Sequence, residues 1–343
     1  MKHCYLLGTG LLVAGALWGC QQPAYVLDVY STFRYEALAL PTAADTMRLT
    51  TVDFVSAREG FVGGTGGAVF ATTDGGQTWT RRTAPSAGVV NKLLFTSATA
   101  GWAGTANGFF RTTNGGQSWQ SVLLYDPYNG SISNVQDVQF VTAQVGYAVG
   151  ERGGIFKTTN GGSNWTSLQS RRDKAYLFRG VSFTSPDSGL VVGAQQAMWR
   201  TTNGGRTWNM YDYYSGGSGG THQDVLRYGR GCYLLASYEG FQAYGPLQAD
   251  GYNGYPQKAD EDMSRVAYGL ASAGPKGPWV AVGDRLVIRS HEGFSQNEYT
   301  PWTYVHQPDG SSFRATYYAA DFADASTFYA VGAHGTIHRF NYQ

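Results

Sequence analysis

The chain has 343 residues, with 25 basic against 24 acidic side chains and a formal charge of +1. No strong field therefore draws it to nucleic acid or to an anionic membrane surface. Gly at 47 residues, aromatics at 15% and charged residues at 14% describe a turn-rich, strand-rich chain of all-β class.

Met1-Lys2-His3 is a short basic start, and Leu6 to Leu17 is an apolar run interrupted by Gly and Ala. That run is too short to span a bilayer comfortably and has the layout of a secretory signal. Leu17-Trp18-Gly19-Cys20 closes it, a small residue before Cys, in the manner of a bacterial lipobox. The expectation is a lipoprotein signal peptide over 1–19, acylation at Cys20 and a linker over 20–30; an ordinary signal peptide with an incidental Cys is the alternative. Cys4 leaves with the leader, so no disulfide framework is expected. Cys232, in Gly231-Cys232-Tyr233-Leu234-Leu235, reads as a small hydrophobe in a buried strand.

One motif then recurs four times. Thr72-Thr73-Asp74-Gly75-Gly76-Gln77-Thr78-Trp79 returns around Asn114 and Trp119, Asn160 and Trp165, and Asn203 and Trp208. The Trp residues are spaced 40, 46 and 43 apart, a period that suits a blade of four strands. Between the motifs lie short strand patterns, such as Val135 to Phe140, Gly146 to Gly150 and Gly154 to Thr158. The Asp-Gly and Asn-Gly dipeptides that join such segments are strong hairpin signals. Clear units are expected at 47–83, 90–124, 134–170 and 177–213, and degraded ones at 222–257, 263–308 and 313–343. The last unit stops after Thr336 to Phe340, a third strand, and an unpaired edge is a liability. Ser31 to Leu38 is the candidate fourth strand, which makes the expected fold one all-β propeller of seven four-stranded antiparallel blades over 31–343.

The motif resembles the Asp-box, or BNR repeat, S/T-x-D-x-G-x-T-W. Among propellers that carry it, the chain looks most like the seven-bladed photosystem II assembly factors and their non-photosynthetic relatives, over about residues 47 to 343. That resemblance implies an exported propeller that binds a protein partner, with the box turns lying away from the ligand-bearing face. Fold does not by itself give function.

The acid position of the motif is Asp74 once and Asn114, Asn160 and Asn203 thereafter. Asn holds a turn as Asp does, yet it supplies neither a general base nor an anionic ligand. The box residues are therefore structural: the Gly pair for positive φ, and Trp79, Trp119, Trp165 and Trp208 for packing. Catalytic patterns fare poorly elsewhere. The Phe/Tyr-Arg-Ile-Pro signature of sialidases is absent, Phe33-Arg34-Tyr35 and Phe313-Arg314-Ala315 being the nearest. Gly216-Gly217-Ser218-Gly219-Gly220 lacks the strand and helix that a nucleophile elbow requires, despite His222 close by. His334 and His338, in a strand-turn-strand pattern, are too far apart to share zinc. No dinucleotide fingerprint follows a strand. No catalytic residue, cofactor or metal site is expected.

Ligands of propellers usually meet the loops that lead into each innermost strand and the turns between second and third strands. The candidate binding face therefore comprises Tyr125, Tyr128, Arg172, Tyr213 and Tyr255 in the loops, with Glu151, Arg152, Asp284, Arg285 and His334 in the turns. Tyr in Gly-rich loops gives a large amphipathic area at low entropic cost, as recognition surfaces do. Lys92, Asp137, Arg179, Asp224, Arg265 and Arg314 stand near the starts of inner strands and would ring the channel with both charge signs. The expected function is a non-catalytic, monomeric cell-envelope propeller that binds an unknown protein partner, touching the membrane through its lipid only. A glycan-binding or glycan-degrading propeller is the alternative, with Tyr128, Tyr213 and Tyr255 as its test.

Overall fold

The computed structural model describes residues 33–41, 46–168, 176–211, 220–228, 232–238, 240–244, 257–258, 265–274, 277–290, 302–307 and 309–342. They build seven four-stranded antiparallel sheets and one two-stranded hairpin. Single 3-10 turns lie at Thr65–Gly67, Glu151–Gly153 and Ala194–Gln196, and no α-helix occurs among the described residues. In chain order the blades span 49–81, 90–122, 135–167, 178–210, 222–258, 267–304 and 317–342.

The innermost strands are Leu49–Phe54, Val90–Phe95, Val135–Phe140, Phe178–Ser185, His222–Tyr228, Ala267–Ser272 and Tyr317–Phe322. Each packs against the next, and the last packs against the first. Blade seven takes its fourth strand from the other end of the chain: Phe33–Leu38 pairs with Ile337–Tyr342 in continuous antiparallel register, Phe33 opposite Tyr342 and Leu38 opposite Ile337. The last edge is thereby covered.

A repeated aromatic device packs the blades. Phe54, Phe95, Phe140 and Phe183 lie at or near the ends of the inner strands of blades one to four, each opposite a glycine, Gly60, Gly101, Gly146 or Gly189. The missing side chain leaves room for the ring, since a Cβ on Gly60 would lie 2.5 Å from Phe54. The box tryptophans pack edge-on to the same rings: Trp79 on Phe54, Trp119 on Phe95, Trp165 on Phe140 and Trp208 on Phe183, with centroids 5.9–6.4 Å apart. An aromatic from the preceding blade covers the other side. Tyr329 lies on Phe54 at 3.9 Å, Phe61 on Phe95 at 3.5 Å, Trp102 on Phe140 at 4.5 Å and Tyr147 on Phe183 at 3.6 Å. Blades five to seven depart from the pattern, pairing Arg227 with Tyr233, Ser272 with Trp279 and Phe322 with Phe328. The decay of the motif there is a change of packing solution within the same sheet.

The Asp-box turns explain why Asp and Asn interchange. Asp74 Oδ1 accepts from the Thr72 hydroxyl at 2.8 Å and from Thr78 N at 2.9 Å, and Oδ2 accepts from the Thr78 hydroxyl at 2.6 Å. Asn114 Oδ1 makes the same two contacts with Thr112 and Ser118, while its Nδ2 donates to Ser118 Oγ at 2.8 Å. The hydroxyl of residue 118 only reverses its role, so the turn needs one oxygen in place and no charge. Gly75 and Gly76, at φ +72° and +80°, supply the left-handed backbone. The hydrogen bonds from Thr78 and Thr72 hold the Asp74 carboxyl down at about 2.

Candidate functional site at the channel mouth

The backbone register of every inner strand slips between its first and third residues. A regular strand would send those residues alternately to opposite sides; a bulge re-aims one of them. The re-aimed residues are Thr50, Asn91, Gln136, Arg179, Gln223, Tyr268 and Tyr318, and all seven line one cavity of about 340 Å³ with Arg48 and Tyr238. The bulge also brings the second strand close. A Cβ on Gly150 would lie 2.2 Å from the Asn134 carbonyl oxygen, and Gly64, Gly193, Gly283 and Gly332 stand in equivalent contacts at 2.0–2.1 Å. The recurrent glycine at the end of the second strand is thus the partner of the bulge that builds the mouth.

Which face this is follows from backbone hydrogen bonds. The turns between second and third strands donate to the residues just ahead of the inner strands: Thr65 N to Arg48 O, Glu151 N to Asn134 O, Ala194 N to Leu177 O and Ala333 N to Thr316 O. The Asp-boxes instead bond the turns between first and second strands, as Gly75 N to Arg58 O and Gly115 N to Thr99 O. Mouth and boxes therefore occupy opposite faces of the ring.

Aromatic and cationic groups divide the mouth between them. Tyr238, Tyr268 and Tyr318 form an arc across blades five to seven, with centroids 6.2 and 5.2 Å apart in sequence. Arg48 and Arg179 face the same cavity, and neither has an ion pair among the described residues. Arg179 Nε and Gln223 Nε2 are buried donors that find no partner among the described residues.

Below the mouth the channel narrows to about 100 Å³ around Lys92, Asp137 and Asp224. Lys92 Nζ lies 3.3 Å from Asp137 Oδ1, and the charge of Asp137 holds the ammonium above its ordinary range. Acids of the inner strands are also struts between blades. Asp53 accepts from Phe95 N at 2.6 Å, Asp137 from Val181 N at 3.0 Å, Asp224 from Leu270 N at 2.8 Å and Asp321 from Phe54 N at 2.6 Å. Burial raises Asp53, Asp224 and Asp321 above the usual carboxylate range. His222, likewise buried, is pushed down to about 4.

The residues singled out from sequence are only partly gathered. Lys92, Asp137, Arg179 and Asp224 do line the channel. Arg265 does not: its guanidinium donates to the Arg285 carbonyl at 3.0 Å, and Arg314 is exposed outside both cavities. Glu151, Arg152, Asp284, Arg285 and His334 occupy the turns beside the mouth, and Arg152, Arg285 and His334 hold positive φ at their apices. Glu151 caps Ser133 N and Asn134 N at 2.9 and 3.1 Å, and Asp284 accepts from the Thr316 hydroxyl at 2.8 Å. Tyr125 and Tyr128 belong to a small hairpin, Tyr125–Asp126 with Gly130–Ser131, rather than to a mobile loop. Buried Asp126 pins it by accepting from Tyr128 N and Asn129 N at 2.9 and 2.7 Å. Neither tyrosine nor any of these turn residues lines the mouth cavity. Arg172, Tyr213, Tyr255, Cys20 and the Gly216–Gly219 stretch lie outside the described residues, and Cys232 opens the strand Cys232–Ser237. His338 Nδ1 meets the Tyr317 hydroxyl at 2.6 Å inside an aromatic cluster, away from the turn that carries His334.

Apart from Arg179, the ring escaped the sequence reading, although it leaves a signal. Leu49-Thr50-Thr51-Val52, Val90-Asn91-Lys92-Leu93 and Val135-Gln136-Asp137-Val138 each place two polar residues between apolar ones. That breaks strand alternation at one repeated position, as a bulge does.

Comparison with known proteins bears on what such a mouth belongs to. The family described as photosynthesis system II assembly factor YCF48 matches residues 27–167 and 127–219. No curated protein matches the chain. A structure of YCF48 bound to D1 peptide is 20% identical with a TM-score of 0.68, covering 92% of this chain and 97% of that one. YCF48 from Cyanidioschyzon merolae is 19% identical at a TM-score of 0.67, over 90% and 98%. Virginiamycin B lyase from Staphylococcus aureus is 13% identical at 0.66, over 91% and 100%. At these identities the structures share the propeller and nothing finer, and a lyase among them shows that the fold hosts catalysis too. The family match, however, runs from residue 27 to 219, more than half of the chain, and the protein belongs to the YCF48 family of photosystem II assembly-factor propellers.

Proposed function

We propose that this chain is a non-catalytic propeller of assembly-factor type, carried on the cell envelope by a lipid on Cys20, and that it holds a polypeptide segment of a partner protein at the channel mouth. The observation that carries this reading is the mouth itself: seven bulge-directed side chains around one cavity, with Arg48 and Arg179 lacking counter-ions among the described residues and three tyrosines lining the same cavity. Guanidinium donors suit carboxylate and carbonyl groups, and tyrosines give broad contact with few rotamers to freeze. The related YCF48 bound to a D1 peptide supports a polypeptide as ligand. A structural role for the inner-strand acids supports the absence of catalysis, since each accepts a backbone N–H of the neighbouring blade.

The test is site-specific photocrosslinking in native membranes, with the crosslinker at position 268 in the mouth or at 117 in an Asp-box. One defined polypeptide should be captured from 268 and not from 117, and Arg179→Glu should abolish the capture. Binding of defined glycans that is lost in Tyr268→Ala, without polypeptide capture, would replace this reading by the carbohydrate one.

A further inference from the structure

The closing strand sets which face of the ring the N-terminal chain joins. Phe33 begins that strand opposite Tyr342, and Tyr342 N donates to Ser326 O at 2.8 Å. Ser326 sits in the turn that follows the inner strand Tyr317–Phe322. This inner strand starts at the mouth, where Tyr318 lines the cavity, so its far end and Ser326 belong to the opposite face. The chain preceding Phe33 therefore joins the ring on the Asp-box face.

Twelve residues, Gln21 to Thr32, separate Cys20 from Phe33. A flexible chain of twelve residues would span about 20 Å. Six-residue inner strands are themselves about 20 Å long, before the turns on either face are added. With the boxes toward the bilayer the linker needs no stretching. Turning the mouth to the bilayer would require it to run the height of the ring and its turns, beyond its relaxed span and toward its limit of about 40 Å, which loses chain entropy.

We propose that the anchored protein stands with its Asp-box face on the bilayer and its mouth pointing away. The partner it fits is then a polypeptide segment that projects into the aqueous space, beyond the thickness of the ring, and not a lipid headgroup or a segment lying in the plane of the same membrane. This rests on acylation at Cys20 and on the polypeptide-binding reading above.

The experiment uses the full chain, acylated at Cys20, in liposomes whose headgroups carry an energy-transfer acceptor. A donor dye is attached through an azido amino acid at position 107 or 117, which leaves all cysteines untouched. Both positions are exposed ends of blade two: Asn107 is in the turn at the mouth, where Ala106 N bonds Val89 O, and Gln117 is in the Asp-box. The donor at 117 should be quenched several-fold more than the donor at 107. Equal quenching, or stronger quenching at 107, overturns the proposal. Cys20→Ser should abolish vesicle binding and quenching at both positions; persistence of either means that another surface meets the membrane, and the proposal fails. Polypeptide capture by the detached Cys20→Ser chain, through a crosslinker at 268, reads the binding function independently of orientation.

Discussion

Replacing Asn114 separates a turn-forming role for the Asp-box from any role that needs charge. Asn114→Asp retains an oxygen for the Thr112 hydroxyl and Ser118 N, now at 3.0 and 2.9 Å, and Ser118 Oγ reverses from acceptor to donor as Thr78 Oγ1 does toward Asp74. All three hydrogen bonds survive, so the expected change is within about 0.5 kcal/mol, the scale of a neutral surface substitution. Asn114→Ala loses all three. A buried set would be worth more, but this side chain is exposed, and water recovers part of the loss. About 1–2 kcal/mol remains, comparable to losing a helix N-cap. At roughly 2–4 °C per kcal/mol for a domain of about this size, Tm should fall by a few degrees. Thermal unfolding by circular dichroism and urea titration measure both variants, each with and without added calcium. Equal destabilisation by Asp and Ala would refute the reasoning, as would a calcium-dependent rise in Tm for Asn114→Asp, because either would mean that the residue does more than place an oxygen.

Other outcomes follow from the same geometry. Gly150→Ala sets a Cβ 2.2 Å from the Asn134 carbonyl oxygen and should cost about 3 kcal/mol or more in urea unfolding. Gly66→Ala meets nothing within 4 Å but keeps φ +68°, and should cost only about 1 kcal/mol. Tyr329→Phe removes a hydroxyl that donates to Gly75 O, which Arg339 also supplies at 3.3 Å, for a loss of about 1 kcal/mol; Tyr329→Ala also removes the stack on Phe54 that joins the last blade to the first, for about 3–5 kcal/mol, and similar losses in the two variants would show that the stack contributes little. Burial holds Asp321 up at about 8, so between the ordinary carboxylate value near 4 and about 8 the native state binds more protons than the unfolded chain, and stability falls as pH rises. His222, down at about 4, opposes this only below about 6.5. Tm should therefore decline from pH 6.5 to 8, less steeply in Asp321→Asn, and an unchanged slope in that variant would assign the decline to other groups.

The four-stranded antiparallel blades, the box turns and the segment that closes the last blade were all legible in the chain, because each is a local pattern. Gly-Gly with positive φ, strand alternation and a Trp every forty-odd residues are written in neighbouring positions, and an edge without a partner is recognisable from the pattern that runs out at Phe340. The glycines opposite Phe54, Phe95, Phe140 and Phe183 were visible as a repeat, but their purpose was not. It depends on rings contributed across strands and from the preceding blade. The mouth was least legible. Thr50, Asn91, Gln136, Arg179, Gln223, Tyr268 and Tyr318 differ in chemistry and lie roughly 40 to 50 residues apart, so they share nothing in sequence except a break in alternation. Arg179 was noticed for its charge alone. Loop composition favoured Tyr125 and Tyr128, which a buried Asp126 ties into a rim hairpin instead. Local sequence thus determined the strands and their turns, because hydrogen bonding and side-chain alternation act between near neighbours. Only the closed ring decided which side chains meet over the channel and which face the N-terminal chain joins, because both depend on where one blade stands against another.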